Sequence, residues 1–302
     1  MLQKRVLEKI LKTGALMLLL LTLVTIPNIT TKEKVLRTNL EIEDITNLNT
    51  NRIYLLNKNG LLVESETFIS GKTLEEKVRN IIHYLTIENN STPMELNGYI
   101  PKQTKLINCE KEDNTLKVNL SKEFLNYKKE EEDKIITGFV YSLLEIEYID
   151  NIWLEIEGKP LNNYNYLLNK NMGINNKYNI FNRKNIKKVV IYYLDKTQNY
   201  YIPVTKYIND NREKIEIIIE ELNKKDLDSN WISTLNKHIK LLEYKEEGNA
   251  VYLNFNKYLK NKNKKTEEKS LNSIAYSIFE NYDVNMVIFE INKEKVKQIS
   301  RK

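Results

Sequence analysis

The sequence predicts an α+β protein: two tandem copies of one small β-β-α-β-β-α-β domain, helices packed on a mixed sheet, behind an N-terminal hydrophobic helix. Three observations predict it. Apolar residues repeat in register along the chain, each repeat alternates between two-residue and helical periodicity, and the amino terminus is basic and then apolar.

The duplication is clearest at an offset of 135, where residues 114–124 fall on 249–259 without a gap. Tyr141, Ser142 and Glu145 fall on Tyr276, Ser277 and Glu280, and residues 152–156 on 287–291. Earlier segments match at slightly larger offsets, 53–56 with 191–194 and 78–85 with 215–222. Asparagine- and lysine-rich coding bias cannot place apolar residues in register this way. The expected division is a signal or anchor segment at 1–30, a first domain at 50–160, a linker at 161–186 and a divergent second domain at 187–295. A chain of 302 residues is long enough for two such cores.

The amino terminus carries Lys4, Arg5, Lys9 and Lys12 against Glu8, and is followed by an uncharged run over 13–26. As a helix that run spans about 21 Å, short of the ~30 Å hydrocarbon core unless it extends back through Leu7, Ile10 and Leu11. A cleaved signal peptide and an uncleaved anchor both fit. No Ala-x-Ala site follows, which favours the anchor, and the positive flank keeps the amino terminus cytoplasmic with the body outside. No cysteine follows the apolar run, so a lipid-modified cysteine is excluded there.

Each copy opens with a strand (52–57, 187–194) and a second extended segment (61–69, 199–204). A helix follows over 73–88 and 210–223, with Leu74, Val78, Ile81, Ile82 and Leu85 at helical spacing and Thr73 and Glu76 forming a capping box. Two strands come next (104–110 with 115–120; 239–245 with 250–255) around tight turns at 112–114 and 247–249. Charged spacers at 128–134 and 260–269 precede the second helix. That helix buries Ile136, Phe139, Val140, Leu143 and Leu144 in one copy and Leu271, Ile274, Ala275, Ile278 and Phe279 in the other. A last strand (151–157, 286–292) closes the unit. The intervening 161–186 stretch is rich in asparagine and tyrosine and shows no period; it is long enough for the copies to stand in line or across a pseudo-twofold.

In the first copy the run 92–106 contains Ile100-Pro101 and Thr104 (Ile-Pro-x-x-Thr). Further on come Val118-Asn119-Leu120-Ser121 and a strand from Trp153 that ends at Gly158. These elements resemble the GerMN domain of the GerM-like sporulation and germination proteins, and the resemblance covers nearly all of 50–295. The second copy departs from it, with 235–239 in place of the Ile-Pro-x-x-Thr element and Asn256 in place of Ser121. The resemblance implies two such domains behind an export signal and a role in spore formation and germination. It also implies work between mother cell and forespore, stabilising a membrane-spanning assembly, with a fold similar to the ring-building domains of secretion machines.

Composition narrows the chemistry. Of the net charge of +6, the amino terminus holds half, and the rest is spread with both signs interspersed. The 19 tyrosines are scattered rather than interleaved with a basic element, which argues against nucleic acid. One cysteine and two histidines, with no glycine-rich phosphate loop, leave no expected metal or cofactor. Ser121 lacks a local base and reads as a turn residue. His83 reads as a solvated or boundary imidazole, His238 has no counterpart in the other copy, and Cys109 reads as half-buried. Glu145, Glu280, Glu155 and Glu290 could act as paired carboxylates on cell wall if held about 5–10 Å apart, but mid-strand Glu155 and Glu290 are expected on the solvent face. Trp153 fits core packing better than a binding surface. No catalytic, cofactor-binding or metal residue is therefore expected. The expected function is a non-enzymatic, membrane-anchored extracytoplasmic scaffold, with an envelope or membrane protein complex as partner and peptidoglycan contact possible. The alternatives are a general envelope-binding module for peptidoglycan or a small ligand, and a wall hydrolase.

Overall fold

The computed structural model describes residues 50–87, 92–93, 95–176, 186–224, 230–233, 235–260 and 263–301. At the amino terminus it describes Lys4, Val6, Glu8, Lys9, 11–15 and Met17, all helical. Most of the apolar run at 13–26 lies outside these residues. Among the described residues no helix is long and apolar enough to cross a membrane.

Residues 49–302 form one compact unit. The first copy comprises β1 (Thr50–Asn57), β2 (Leu62–Phe68), α1 (Leu74–Leu85), β3 (Leu96–Asn97), β4 (Leu106–Glu112), β5 (Thr115–Leu120), α2 (Glu132–Leu143), β6 (Asn151–Ile156) and β7 (Lys159–Pro160). The second comprises β8 (Lys187–Asp195), β9 (Tyr201–Ile208), α3 (Lys214–Asn223), β10 (Trp231–Ile232), β11 (Leu241–Glu247), β12 (Ala250–Phe255), α4 (Lys264–Asn281), β13 (Met286–Ile291) and β14 (Glu294–Ser300).

The α+β class and the expected elements recur in order in both copies, but each copy adds two strands, β3 and β7 or β10 and β14, and divides its strands between two sheets. One is three-stranded, β2-β1-β3 or β9-β8-β10; the other is four-stranded, β4-β5-β6-β7 or β11-β12-β13-β14. The short strands β3, β7 and β10 are too brief to carry a periodicity, and exposed β14 has no apolar face to announce it. The central pairs β5·β6 and β12·β13 are parallel, and α2 and α4 are the crossovers that parallel neighbours require.

Local chemistry sets the helix ends. Thr73 Oγ1 accepts the Glu76 N–H at 3.2 Å while the Glu76 carboxylate takes the Thr73 N–H at 3.4 Å, the expected capping box. α3 starts at 214 rather than 210 because the Asp210 carboxylate accepts the Arg212 N–H at 2.8 Å and holds a turn there. α4 absorbs much of its charged spacer because Asn263 caps it, accepting from the Lys265 and Thr266 N–H groups.

Both second helices bury the expected stripe. Ile136, Phe139, Val140 and Leu143 are inaccessible, as are Ile274, Ala275 and Ile278; Leu144 is only half-buried. One hydrophobic cluster runs through both copies. Part of the 161–186 stretch belongs to it. Leu161, Tyr164, Leu168 and Ile174 are buried, and Leu168 pairs with Ile152 through two backbone hydrogen bonds of 2.8 and 2.9 Å.

The repeated serines fasten helix to strand. Ser142 Oγ donates to the Gly138 carbonyl (2.8 Å) and accepts the Tyr54 N–H (2.9 Å); Ser277 Oγ donates to the Ser273 carbonyl (2.6 Å) and accepts the Tyr192 N–H (2.9 Å). Each hydroxyl thus satisfies a backbone N–H on the open side of β1 or β8, where a helix lies in place of a neighbouring strand. The repeated asparagines close the final hairpins, Asn119 accepting from Gly158 N–H at 2.9 Å and Asn254 from Lys293 N–H at 3.0 Å.

Candidate functional site: the seam between the copies

β2 of the first copy and β9 of the second run side by side, and Asn175 hydrogen-bonds to both. Asn175 accepts the Leu62 N–H at 2.9 Å and donates its amide to the Leu62 carbonyl (2.7 Å) and the Pro203 carbonyl (2.8 Å). Its backbone is left-handed (φ 50°), a conformation asparagine tolerates better than most residues. Next to it, the Ile174 and Thr205 backbones are stitched by Ile174 N–H to Thr205 Oγ1 and Thr205 N–H to Ile174 O, both 2.9 Å. Together these bonds cover the two sheet edges where they meet.

A charged cluster lies alongside. Arg52 reaches Glu145 at 3.0 Å and Glu64 at 3.8 Å, and Lys170 reaches Glu145 at 3.1 Å and Glu280 at 3.4 Å. The Tyr192 hydroxyl donates to Glu64 at 3.1 Å, and the Tyr141 hydroxyl donates to the Lys170 carbonyl at 3.0 Å, which also takes the Lys188 ammonium. Burial pushes the Glu64 carboxyl up to about 7 despite Arg52. Burial likewise lowers the Lys188 ammonium to about 8, against the pull of Glu280. For Lys170 burial works downward, but Glu145 and Glu280 outweigh it and leave the ammonium raised. Three carboxylates thus face three cations, and the cluster locks the first copy, the intervening stretch and the second copy together.

The carboxylates singled out from the sequence divide here. Glu145 and Glu280 do converge, but on the Lys170 ammonium rather than across an open cleft. Glu155 corrects the expectation of a solvated side chain: it is nearly buried, taking the Trp153 indole N–H at 3.0 Å and Lys117 at 3.2 Å. Trp153 is corrected with it. It lies half-buried on the outer face of β6 and outside the hydrophobic core, because residues 153 and 155 share the face opposite Leu154 and Ile156. Glu290 is half-buried on the corresponding face of β13.

Ser121 is a turn residue, its hydroxyl accepting the Lys105 N–H at 3.0 Å; Asn256 takes its place in the second copy, accepting the Lys240 N–H at 3.3 Å. His83 is exposed against Tyr84 and His238 is exposed against Tyr258. Cys109 is half-buried, with its thiol raised by burial. No group of three metal-ligating side chains occurs among the described residues.

The family of sporulation and spore germination domains called Germane matches the chain twice, over 52–162 and 190–297. The chain belongs to the Germane family. Among relatives, the spore germination protein GerM of Bacillus subtilis (strain 168) is 30% identical over 261 residues, covering 80% of this chain and 70% of GerM. The solved tandem GerMN domains of the sporulation protein GerM from Bacillus subtilis superpose with a TM-score of 0.71 at 26% identity, covering 84% of this chain and 96% of that one. Both matched Germane segments contribute to the seam, Arg52, Glu64 and Glu145 from the first and Tyr192 and Glu280 from the second.

Sequence reasoning missed Arg52, Glu64, Lys170, Asn175 and Lys188. Only the repeat signalled the place, by aligning Glu145 with Glu280 and Tyr54 with Tyr192.

Proposed function

We propose that this Germane protein is a non-enzymatic scaffold of sporulation or germination, anchored by its amino terminus in the cell membrane with its paired domains outside. The observation that carries the reading is the double Germane match together with 30% identity to a spore germination protein over most of the chain. The basic-then-apolar amino terminus supports the anchor. The seam supports the scaffold role, since its carboxylates are engaged with Arg52 and Lys170 and the two domains are held as one body that can present a surface to an envelope or membrane complex.

The test is to image a fluorescent fusion at the exported carboxyl terminus through growth and starvation in the native host. Accumulation at an asymmetric septum or around an engulfed forespore is the expected outcome. Uniform peripheral signal, unchanged on starvation, overturns the sporulation role. Zymogram activity on cell wall that is lost in Glu145→Gln or Glu155→Gln overturns the non-enzymatic reading.

A further inference from the structure

β4 and β11 are the outer strands of the two four-stranded sheets, and each carries a one-residue bulge at the same place in the repeat. The bulged residues are Ile107 and Leu242, and the irregularity turns both apolar side chains into solvent, 45% and 56% exposed. What flanks the bulge differs between the copies. In the first, α1 packs directly on β4. In the second, a cleft of about 680 Å³ opens between α3 and β11.

The cleft has an apolar floor and an acidic rim. Ile219 from α3 faces Leu241, Leu242 and Tyr244 from β11, and Glu216, Glu220 and Glu243 line the sides with Lys240. Glu216 takes the Tyr244 hydroxyl at 3.3 Å, while Glu243 is joined to Lys293 only by an exposed pair at 3.5 Å. Glu220 is already paired with Arg212 at 2.6 Å and Lys224 at 3.6 Å, so Glu216 and Glu243 are the carboxylates left to meet a ligand. The open edge of β11 offers backbone donors and acceptors, and a strand added there would lie beneath α3 with one face on Ile219 and Tyr244.

We propose that this cleft is a docking site for an extended segment of a partner protein that alternates apolar and basic residues, taken up as a further strand on β11. Backbone pairing supplies the affinity, the floor takes the apolar side chains, and Glu216 and Glu243 select lysine or arginine over acidic residues. The inference goes beyond the scaffold reading and is independent of when the protein acts.

The experiment uses the full-length chain in mild detergent and two synthetic peptides, one alternating lysine with valine and one alternating glutamate with valine. Binding is followed by fluorescence anisotropy and backbone protection by hydrogen exchange. The lysine peptide is expected to bind at least about tenfold more tightly and to protect 242–246 but not 107–111. Leu242→Ser and Glu243→Lys, both at exposed positions, should each weaken binding by about tenfold, while Ile107→Ser leaves it unchanged. Equal binding of the two peptides, protection on β4 or β14 instead, or full affinity in Leu242→Ser overturns the proposal. So does β11 protection that grows with protein concentration without peptide, which would assign the edge to self-association. A localisation result that overturned the sporulation role would leave these outcomes untouched.

Discussion

The two copies share a backbone plan but satisfy it with different groups. At the end of α1 the Leu85 carbonyl is taken by the Tyr99 and Ile100 N–H groups at 2.7 and 2.8 Å. That approach is close enough that a Cβ on Gly98 would meet the Thr86 carbonyl at 2.2 Å. In the second copy the Ser233 hydroxyl takes the equivalent Leu222 carbonyl at 2.5 Å, and no glycine or Ile-Pro-x-x-Thr element is required. Along the strand edges, Ser142 and Ser277 are interchangeable, but Asn281 adds a two-way clasp on Val190 (3.1 and 2.7 Å) that the first copy lacks. The second copy keeps the fold without those motif residues because folding requires buried backbone groups to be paired, whichever atoms pair them.

The seam uses the remaining asymmetry. Opposite Tyr54 on β2 stands Glu64, and opposite Tyr192 on β9 stands Pro203, so at this one register position the first copy has a carboxylate where the second has a proline whose carbonyl accepts from Asn175. Replacing Asn175 with alanine should have the largest effect. It removes three partly buried hydrogen bonds at once, about 3 kcal/mol, and urea unfolding should change from one transition to two. A single transition at an unchanged midpoint would show that the charged cluster and the apolar contacts couple the copies without Asn175.

Importing a second-copy residue into the first comes next. Gly138 corresponds to Ser273, and a Cβ at 138 would lie 2.5 Å from the Tyr99 hydroxyl and 2.7 Å from Leu62. Gly138→Ser should destabilise by about 2 kcal/mol through overpacking, and the converse Ser273→Gly by about 1 kcal/mol through helix propensity. Equal losses in thermal melts would contradict the close packing around α2.

The charge asymmetry predicts a pH dependence. Glu64 titrates near 7 in the folded protein, above the ordinary carboxyl range, so the folded state holds the proton more tightly than the unfolded chain. Its contribution is fully present below about pH 4.5 and fades as pH rises through 7, on the order of 3 kcal/mol at most. Glu64→Gln should flatten stability between pH 5 and 8. A slope unchanged in that variant would place the titration elsewhere. The smallest effect is expected at the turn where the copies are interchangeable, with Asn256→Ser changing stability by less than about 1 kcal/mol.

Much of the fold was legible because it depends on periodicity. Val118 and Leu120 alternating on β5, and Phe139, Val140 and Leu143 on one face of α2, fix what is buried. The capping box at Thr73 fixes where α1 starts. The seam was not legible, because Arg52, Glu64 and Lys170 read as ordinary surface charges until the fold brings them together. The same holds for Trp153 and Glu155: alternation gave their face, but not the Lys117 contact that covers Glu155 on it.

By itself, then, the sequence determined the duplication, the order of elements and the buried stripes, since these follow from local preference and the segregation of apolar side chains from water. The tertiary structure alone decided that each copy splits its strands into two sheets, that Asn175 joins β2 to β9, and that the cleft beside β11 stays open in one copy while α1 packs on β4 in the other. Those outcomes turn on strand partners and charge pairs distant in sequence, and pairing at a distance leaves no period to read.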